Sequence, residues 1–292
     1  GGFKQPSQFI NSGNSGTTSR LILGLIASNP IYCTIIGDKS LSGRPMSRVT
    51  NILERIGAKI KLTKKNYLPL TIEGTLNALP LKHVITKPSA QIKSSIMLAA
   101  LNIHGQTTVI ETRPTRDHTE IMLKYLNVKF KKKKLKNGST EIKLKGPYEI
   151  SAKDIDVASD PSSAAFFVVA ALITPGSNIL LKNICLNKSR IAYIKVLKKM
   201  GGNITVKKEK KLSGEIVGSI KAKYSKLKAI RISKSIAPYL IDEYPILAIA
   251  ATQAQGMTIM KGLAELRVKE SDRLNGIYTN LKNCGVNTKI KD

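Results

Sequence analysis

The feature that most constrains this chain is a plan it runs through four times. Each copy opens on a helix candidate that is apolar on every side, at 20–27, 96–103, 164–173 and 246–251. A helix of that kind has no face for water and is expected to be buried. A Gly or Pro turn follows, then a short β-branched strand at 32–36, 107–110, 178–181 and 257–260. An amphipathic helix comes next. Met46, Val49, Leu53 and Ile56 share one face in the first copy, and Leu274, Ile277, Tyr278 and Leu281 do so in the last. These helices stop at Gly57, Asn127, Gly201 and Gly285, residue types that suit a left-handed cap. Second strands are expected at 58–62, 128–130, 203–206 and 286–290.

The stops lie about 70 to 84 residues apart, too long for a helical solenoid repeat. The pattern predicts α+β copies of two helices and several strands, whose inner helices need neighbouring copies to cover them. The polar, turn-rich stretch at 154–161 predicts a boundary, giving a first domain at 1–155 and a second at 156–292, with two copies each. The chain opens on Gly1-Gly2-Phe3, and its last copy stops at Asp292 as a strand begins. Truncation at both ends is therefore expected.

Composition removes several classes. Hydrophobic residues at 42% exclude a disordered chain. The longest apolar run, ten residues ending at Ile173, is too short to span a bilayer. No basic-then-apolar leader marks the chain for secretion. Cys33, Cys185 and Cys284 form no Cys-x-x-Cys pair, which predicts reduced thiols in a cytoplasm. His83, His104 and His118 do not cluster, so no metal is expected. The net charge of +29 admits a nucleic-acid binder or a lysine-rich surface with anionic ligands. Base readout and stacking favour arginine and aromatics, yet there are 38 lysines to 10 arginines, 5% aromatics and no Trp. The lysine runs at 131–134 and 207–211 read as solvated hairpins.

The chemistry-bearing residues gather where helices begin. Asn14-Ser-Gly16-Thr-Thr-Ser-Arg20 opens the first apolar helix, a place where free N–H groups attract anions. Arg44-Pro45-Met opens its amphipathic partner, and a guanidinium there can clamp a carboxylate or phosphate with two prongs. Ser89-Ala-Gln91-Ile-Lys93 opens the second apolar helix and Thr115-Arg-Asp-His118-Thr-Glu120 its partner. Asp160-Pro-Ser-Ser opens the third, with Asp160 read as a cap. Leu240-Ile-Asp242-Glu243 and Glu265-Leu-Arg-Val-Lys269-Glu270-Ser-Asp-Arg273 flank the fourth. Cations at a helix's positive end are disfavoured unless an anion joins them, and the carboxylates beside them can move protons.

In this order the motifs resemble the 5-enolpyruvylshikimate-3-phosphate synthase family, the 3-phosphoshikimate 1-carboxyvinyltransferases, in its bacterial class II form. The likeness runs from residue 13 to 273. It implies the enolpyruvyl transferase fold, a two-domain inside-out α/β barrel of six βαβαββ units, of which four are present. The family's first and sixth units, which carry further cations for the substrates, have no counterpart, so the chain alone is expected to turn over little or not at all. The family transfers the enolpyruvyl group of phosphoenolpyruvate to the 5-hydroxyl of shikimate 3-phosphate and releases phosphate, on the route to chorismate and aromatic amino acids.

By resemblance, Asp242 and Glu270 are the catalytic pair. Gly16, Arg44, Gln91, Lys269 and Arg273 bind phosphoenolpyruvate. Ser89, Gln91, Thr115, Asp242 and Lys269 bind shikimate 3-phosphate, with Thr115 where the family usually has serine. His118 follows the class II pattern. A Cβ at Gly16 is expected to project into the space of phosphoenolpyruvate. No cofactor and no metal are implied. The implied protein is a cytoplasmic monomer whose partners are its two substrates, with no nucleic acid and no membrane, and its domains are expected to close around the ligands. The sister enzyme that makes enolpyruvyl-UDP-N-acetylglucosamine shares the fold but uses a loop cysteine, whereas Cys33 is predicted to lie in a strand. A nucleic-acid binder would instead show DNA affinity falling steeply with salt.

Overall fold

The computed structural model describes residues 3–291; Gly1, Gly2 and Asp292, and the readings made at those ends, lie outside the described residues. The chain divides into two compact units between Lys153 and Asp154.

Unit 1 holds two copies of one plan. The first runs β1 (Ile10–Asn11), α1 (Gly16–Ala27), β2 (Tyr32–Ile36), a single turn α2 (Lys39–Ser42), α3 (Ser47–Glu54), β3 (Lys59–Thr63) and β4 (Tyr67–Glu73). The second runs β5 (Lys82–Ile85), α4 (Ala90–Ala100), β6 (Gly105–Glu111), α5 (His118–Tyr125), β7 (Phe130–Lys134) and β8 (Thr140–Gly146). Their sheets have the orders β1-β2-β4-β3 and β5-β6-β8-β7, the same topology twice. In both, the first pair is parallel and the rest antiparallel. Alternation fixes the buried faces: in β4, Leu68, Leu70 and Ile72 turn inward while Pro69 and Glu73 turn outward.

The apolar helices α1 and α4 pack against each other, and glycine sets how closely. An ideal Cβ on Gly24 of α1 would lie 2.1 Å from the carbonyl oxygen of Ser95 on α4. Backbone cannot yield as a side chain can. Gly24→Ala is therefore expected to destabilise unit 1 by about 1–3 kcal/mol or more, despite alanine's better helix propensity. Chemical denaturation checks this; an unchanged midpoint would mean that the helices separate freely.

Unit 2 repeats the plan with longer strands in its third copy and two-residue strands in its fourth. Its third copy runs α6 (Pro161–Ile173), β9 (Asn178–Cys185), α7 (Ala192–Lys199), β10 (Asn203–Leu212) and β11 (Glu215–Lys223), and the opening strand shrinks to a bridge between Ser159 and Ile184. The fourth copy has β12 (Leu227–Lys228), β13 (Arg231–Ile232), a 3-10 turn (Lys234–Tyr239), α8 (Tyr244–Thr252), β14 (Ala254–Gln255), β15 (Ile259–Met260), a second 3-10 turn (Ala264–Val268) and α9 (Arg273–Asn283). Its core gathers Val168, Val169 and Leu172 of α6 with Tyr193, Leu197, Leu240, Leu247 and Leu266.

The helix stops behave as read: Gly57, Asn127, Gly201 and Gly285 all have positive φ. Asp160 caps α6, accepting from Ser163 N at 2.8 Å. Other expectations need correction. The strand expected at 286–290 does not form, and the one at 257–260 shortens to Ile259–Met260, because no long partner strand stands beside them in this copy. The lysine runs do lie in solvated hairpins, on strands β7 and β10 of the pairs β7–β8 and β10–β11. Their side chains face solvent, apart from Lys132, which also reaches Glu120. The third apolar helix is not covered all round: Phe166 and Phe167 are 50% and 62% exposed, since the elements of unit 2 cover only the opposite side of α6. Cys33 lies buried in β2; Cys185 is buried and Cys284 exposed, and all three are free thiols. No helix among the described residues is long and apolar enough to cross a membrane.

Candidate active site

Unit 1 builds a cationic corner where α1 begins. Ser15 caps the helix, accepting from Thr18 N at 3.0 Å. Gly16 is the first helical residue and is buried. Arg20, one turn on, folds back over it: Nη1 donates to Gly16 O at 3.2 Å and to Gln91 Oε1 at 3.1 Å, and Nη2 to Pro45 O at 2.9 Å. Gln91 completes a bridge between α4 and α1 by donating to Thr17 Oγ1 at 2.9 Å. Arg44 donates to Asn14 Oδ1 at 2.9 Å, and Asn14 in turn to Asp38 Oδ2 at 2.6 Å.

The structure thus brings Gly16, Arg44 and Gln91 together with Arg20, which closes the helix-opening segment and to which the sequence assigns no role of its own. Burial, then the like charges of Arg44 and Arg48, hold the Arg20 guanidinium below its ordinary pKa. Three like charges around the positive end of one helix form a place that an anion would relieve. An ideal Cβ on Gly16 would lie 2.6 Å from Arg20 Nη1 and 3.3 Å from Arg44 Nη1. The first atoms it meets are these guanidinium ends.

Ser89 caps α4 at the same end, accepting from Ile92 N at 3.3 Å. Thr115 stands in the turn before α5 and bonds Glu111 through both its backbone N–H, at 3.2 Å, and its hydroxyl. His118 is the first residue of α5.

Unit 2 assembles the other expected residues at the N-terminal ends of α8 and α9. Asp272 caps α9, accepting from Asn275 N at 2.9 Å, and this turns Arg273 toward the residues ahead of α8. Arg273 Nη1 lies 3.2 Å from Asp242 Oδ1, while Nη2 pairs with Glu270. One planar guanidinium so joins the two carboxylates expected to move protons. Lys269 pairs with Glu265 at 3.5 Å beside them.

Behind Asp242 the adjacent Glu243 is buried and accepts the Ser162 hydroxyl. Arg190 donates to Ser162 Oγ at 2.9 Å and pairs with Asp160 at 2.6 Å. Burial alone would raise Asp160, but hydrogen bonds from Ser163 and the Arg190 charge bring it below its ordinary value. Burial, with the charges of Glu243 and Asp160, pushes the fully buried Tyr193 phenol upward and keeps it neutral. Ser162 was legible only as a cap neighbour, and Arg190 carried no local signal.

Fold and site together define an α+β repeat protein that gathers cations at helix N-termini and sets a carboxylate pair on one arginine. Comparison with known proteins names the class more closely. The model of the family described as EPSP synthase (3-phosphoshikimate 1-carboxyvinyltransferase) matches residues 1–292. The 3-phosphoshikimate 1-carboxyvinyltransferase of Sphingopyxis alaskensis is 45% identical over 98% of this chain and 65% of its own length. That of Parvibaculum lavamentivorans is 46% identical over 100% of the chain and 65% of its own length. A solved EPSP synthase from Acinetobacter baumannii superposes with a TM-score of 0.82 at 40% identity, covering 96% of this chain and 62% of that one. The chain belongs to the EPSP synthase family, and its fold is the enolpyruvyl transferase fold of that family. It spans about 65% of the length of these curated relatives.

Proposed function

We propose that this chain carries catalytic and binding residues for transfer of the enolpyruvyl group of phosphoenolpyruvate to the 5-hydroxyl of shikimate 3-phosphate, with release of phosphate. The observation that carries the reading is Arg273 joined to both Asp242 and Glu270. Asp242 takes the proton of the attacking 5-hydroxyl as its oxygen bonds to the central carbon of phosphoenolpyruvate. Glu270 gives a proton to the methylene carbon. In the second half Glu270 takes a proton back from the new methyl group, the double bond re-forms and phosphate leaves with its electron pair. Positioned groups of this kind contribute about 10²–10⁴-fold each.

In unit 2 Arg273 holds both carboxylates in place and, with Lys269, supplies charge for phosphoenolpyruvate; in unit 1 Arg44 and Gln91 are the groups suited to that ligand. Ser89, Gln91, Asp242 and Lys269 serve shikimate 3-phosphate. Unit 1, ending at Lys153, and unit 2, starting at Asp154, act as the two domains of a cytoplasmic monomer. Calorimetry on the 292-residue chain tests the binding half of this reading. Shikimate 3-phosphate should bind and strengthen phosphoenolpyruvate binding, and Arg273→Ala should remove the second effect. A chain that binds neither ligand, or that binds DNA with a steep salt dependence instead, would overturn it.

Gly16 gives a second check with two opposite signs. Gly16→Ala adds a helix-favouring residue where the obstacle is the flexible end of Arg20, so stability should hold or rise by about 0.4–1 kcal/mol. The displaced guanidiniums should weaken phosphoenolpyruvate roughly ten- to hundredfold. Thermal melts and ligand titrations read the two separately. Loss of stability with unchanged affinity would reduce Gly16 to a turn residue.

A further inference from the structure

Behind the Thr115 turn lies a buried ion cluster that the reaction does not call upon. Lys93 of α4 is 0% exposed, and Glu111 and Glu120 are nearly as buried. The three ammonium hydrogens of Lys93 have three acceptors: Glu120 Oε1 at 2.9 Å, the Arg116 carbonyl at 2.9 Å, and Glu111 at 3.3 Å. Lys132 reaches the same Glu120 oxygen at 3.1 Å. Beside them Ser94 and Thr119 share a hydrogen bond of 2.6 Å, so α4 and α5 are tied at two successive residues.

Glu111 works in the opposite direction. Facing Lys93, it also takes the Thr115 N–H and the Thr115 hydroxyl. A hydroxyl has one hydrogen, and a carboxylate opposite an ammonium can only accept it. Thr115 therefore spends its hydrogen on Glu111 and has none to give a phosphate. The turn is held at one end by its Arg116 carbonyl and at the other by its Thr115 donors, with Lys93 and Glu111 bonded to each other between them.

We infer that Lys93 and Glu111 are positioning residues that hold the 111–116 turn against the N-terminal end of α4, and that Thr115 belongs to this clamp and is not itself a phosphate ligand. The role rests on the chain binding shikimate 3-phosphate through Ser89 and Gln91, which stand four and two residues before Lys93. Charge-assisted bonds within a buried network lock geometry, and that is what a binding turn made of loop backbone requires.

The test uses the 292-residue chain and the variants Thr115→Val, Thr115→Ser, Glu111→Gln and the double Glu111→Gln/Thr115→Val. Amide hydrogen exchange reads the turn itself. Calorimetry with shikimate 3-phosphate, and with shikimate lacking the phosphate, reads the site. Thr115→Val and Glu111→Gln should each lower protection of the Thr115 amide about tenfold or more, while α1 keeps its own. Both should weaken the two ligands by similar factors. The double variant should cost less than the two singles added together, since both weaken the same Thr115–Glu111 contact, and Thr115→Ser should behave as the parent. If Thr115→Val weakens only the phosphorylated ligand and leaves exchange unchanged, Thr115 is a direct ligand and the inference falls. Unchanged exchange in every variant overturns it as well. If the parent chain binds neither ligand, the substrate reading fails, and exchange alone still decides whether these residues hold the turn.

Discussion

Replacing Arg273 with alanine is expected to remove most turnover while leaving the fold intact. Arg273 joins Asp242 and Glu270 from a position where all three side chains are partly open to solvent. Ion pairs of that exposure add little stability, about 0–1 kcal/mol, so the melting temperature should hardly move. The loss falls on the reaction, because the same guanidinium orients both proton-moving carboxylates and meets the anionic substrate. Truncating one partner of a charge pair that is desolvated by a ligand costs about 2–5 kcal/mol, or roughly 30- to several-thousandfold in rate. Arg273→Lys should recover only part of this, since an ammonium cannot present two parallel N–H groups to separate carboxylates. Steady-state phosphate release checks both variants when residues 1–292 replace the matched segment of the Sphingopyxis alaskensis relative. Near-parental turnover in Arg273→Ala would leave the arginine as surface decoration.

Lys93→Met should do the reverse, with its main effect on stability. Lys93 is fully enclosed, and its partners Glu111 and Glu120 are 2% and 4% exposed. Methionine fills the space but leaves buried Glu111 without its ammonium and Glu120 with only the partly exposed Lys132. Breaking a buried pair in this way costs about 3–5 kcal/mol. For a unit of this size that lowers the melting temperature by roughly 6–20 °C. Neutralising the orphaned acids as well, with Glu111→Gln and Glu120→Gln beside Lys93→Met, should return part of the loss, because the penalty lies in the uncompensated charge. Thermal melts followed by calorimetry measure this. A melting temperature unchanged in the single variant would contradict the enclosure of the cluster.

Much of this architecture was legible because burial and capping leave local marks. The unbroken apolar stretches at α1, α4, α6 and α8 became helices, and Gly57, Asn127, Gly201 and Gly285 ended the amphipathic ones with positive φ. Local marks do not say what covers a face. Phe166 and Phe167 read as core because they are apolar, yet their exposure depends on which elements reach that side of α6. Residues 286–290 have strand-forming side chains, but a strand also needs a partner of matching length.

The candidate site divides the same way. Asp242, Glu270 and Arg273 were named from their motifs, and the structure joins them across a gap of about 30 residues in the chain that no periodicity could bridge. Arg20 reads only as the end of the helix-opening segment, because its bonds to Gly16, Pro45 and Gln91 leave no local pattern. Lys93 carried one signal, a charge inside a helix buried on all sides. Its meaning depends on Glu111 and Glu120, which lie 18 and 27 residues further along.

The most direct test of the whole account is phosphate release from phosphoenolpyruvate and shikimate 3-phosphate by the Sphingopyxis alaskensis relative with residues 1–292 grafted in place of its matched segment. The account expects turnover that needs both substrates, falls at least a hundredfold in Asp242→Ala and in Glu270→Gln, and leaves shikimate 3-phosphate affinity much less changed in Glu270→Gln. A folded graft that releases no phosphate, or one whose turnover survives both substitutions, would contradict it.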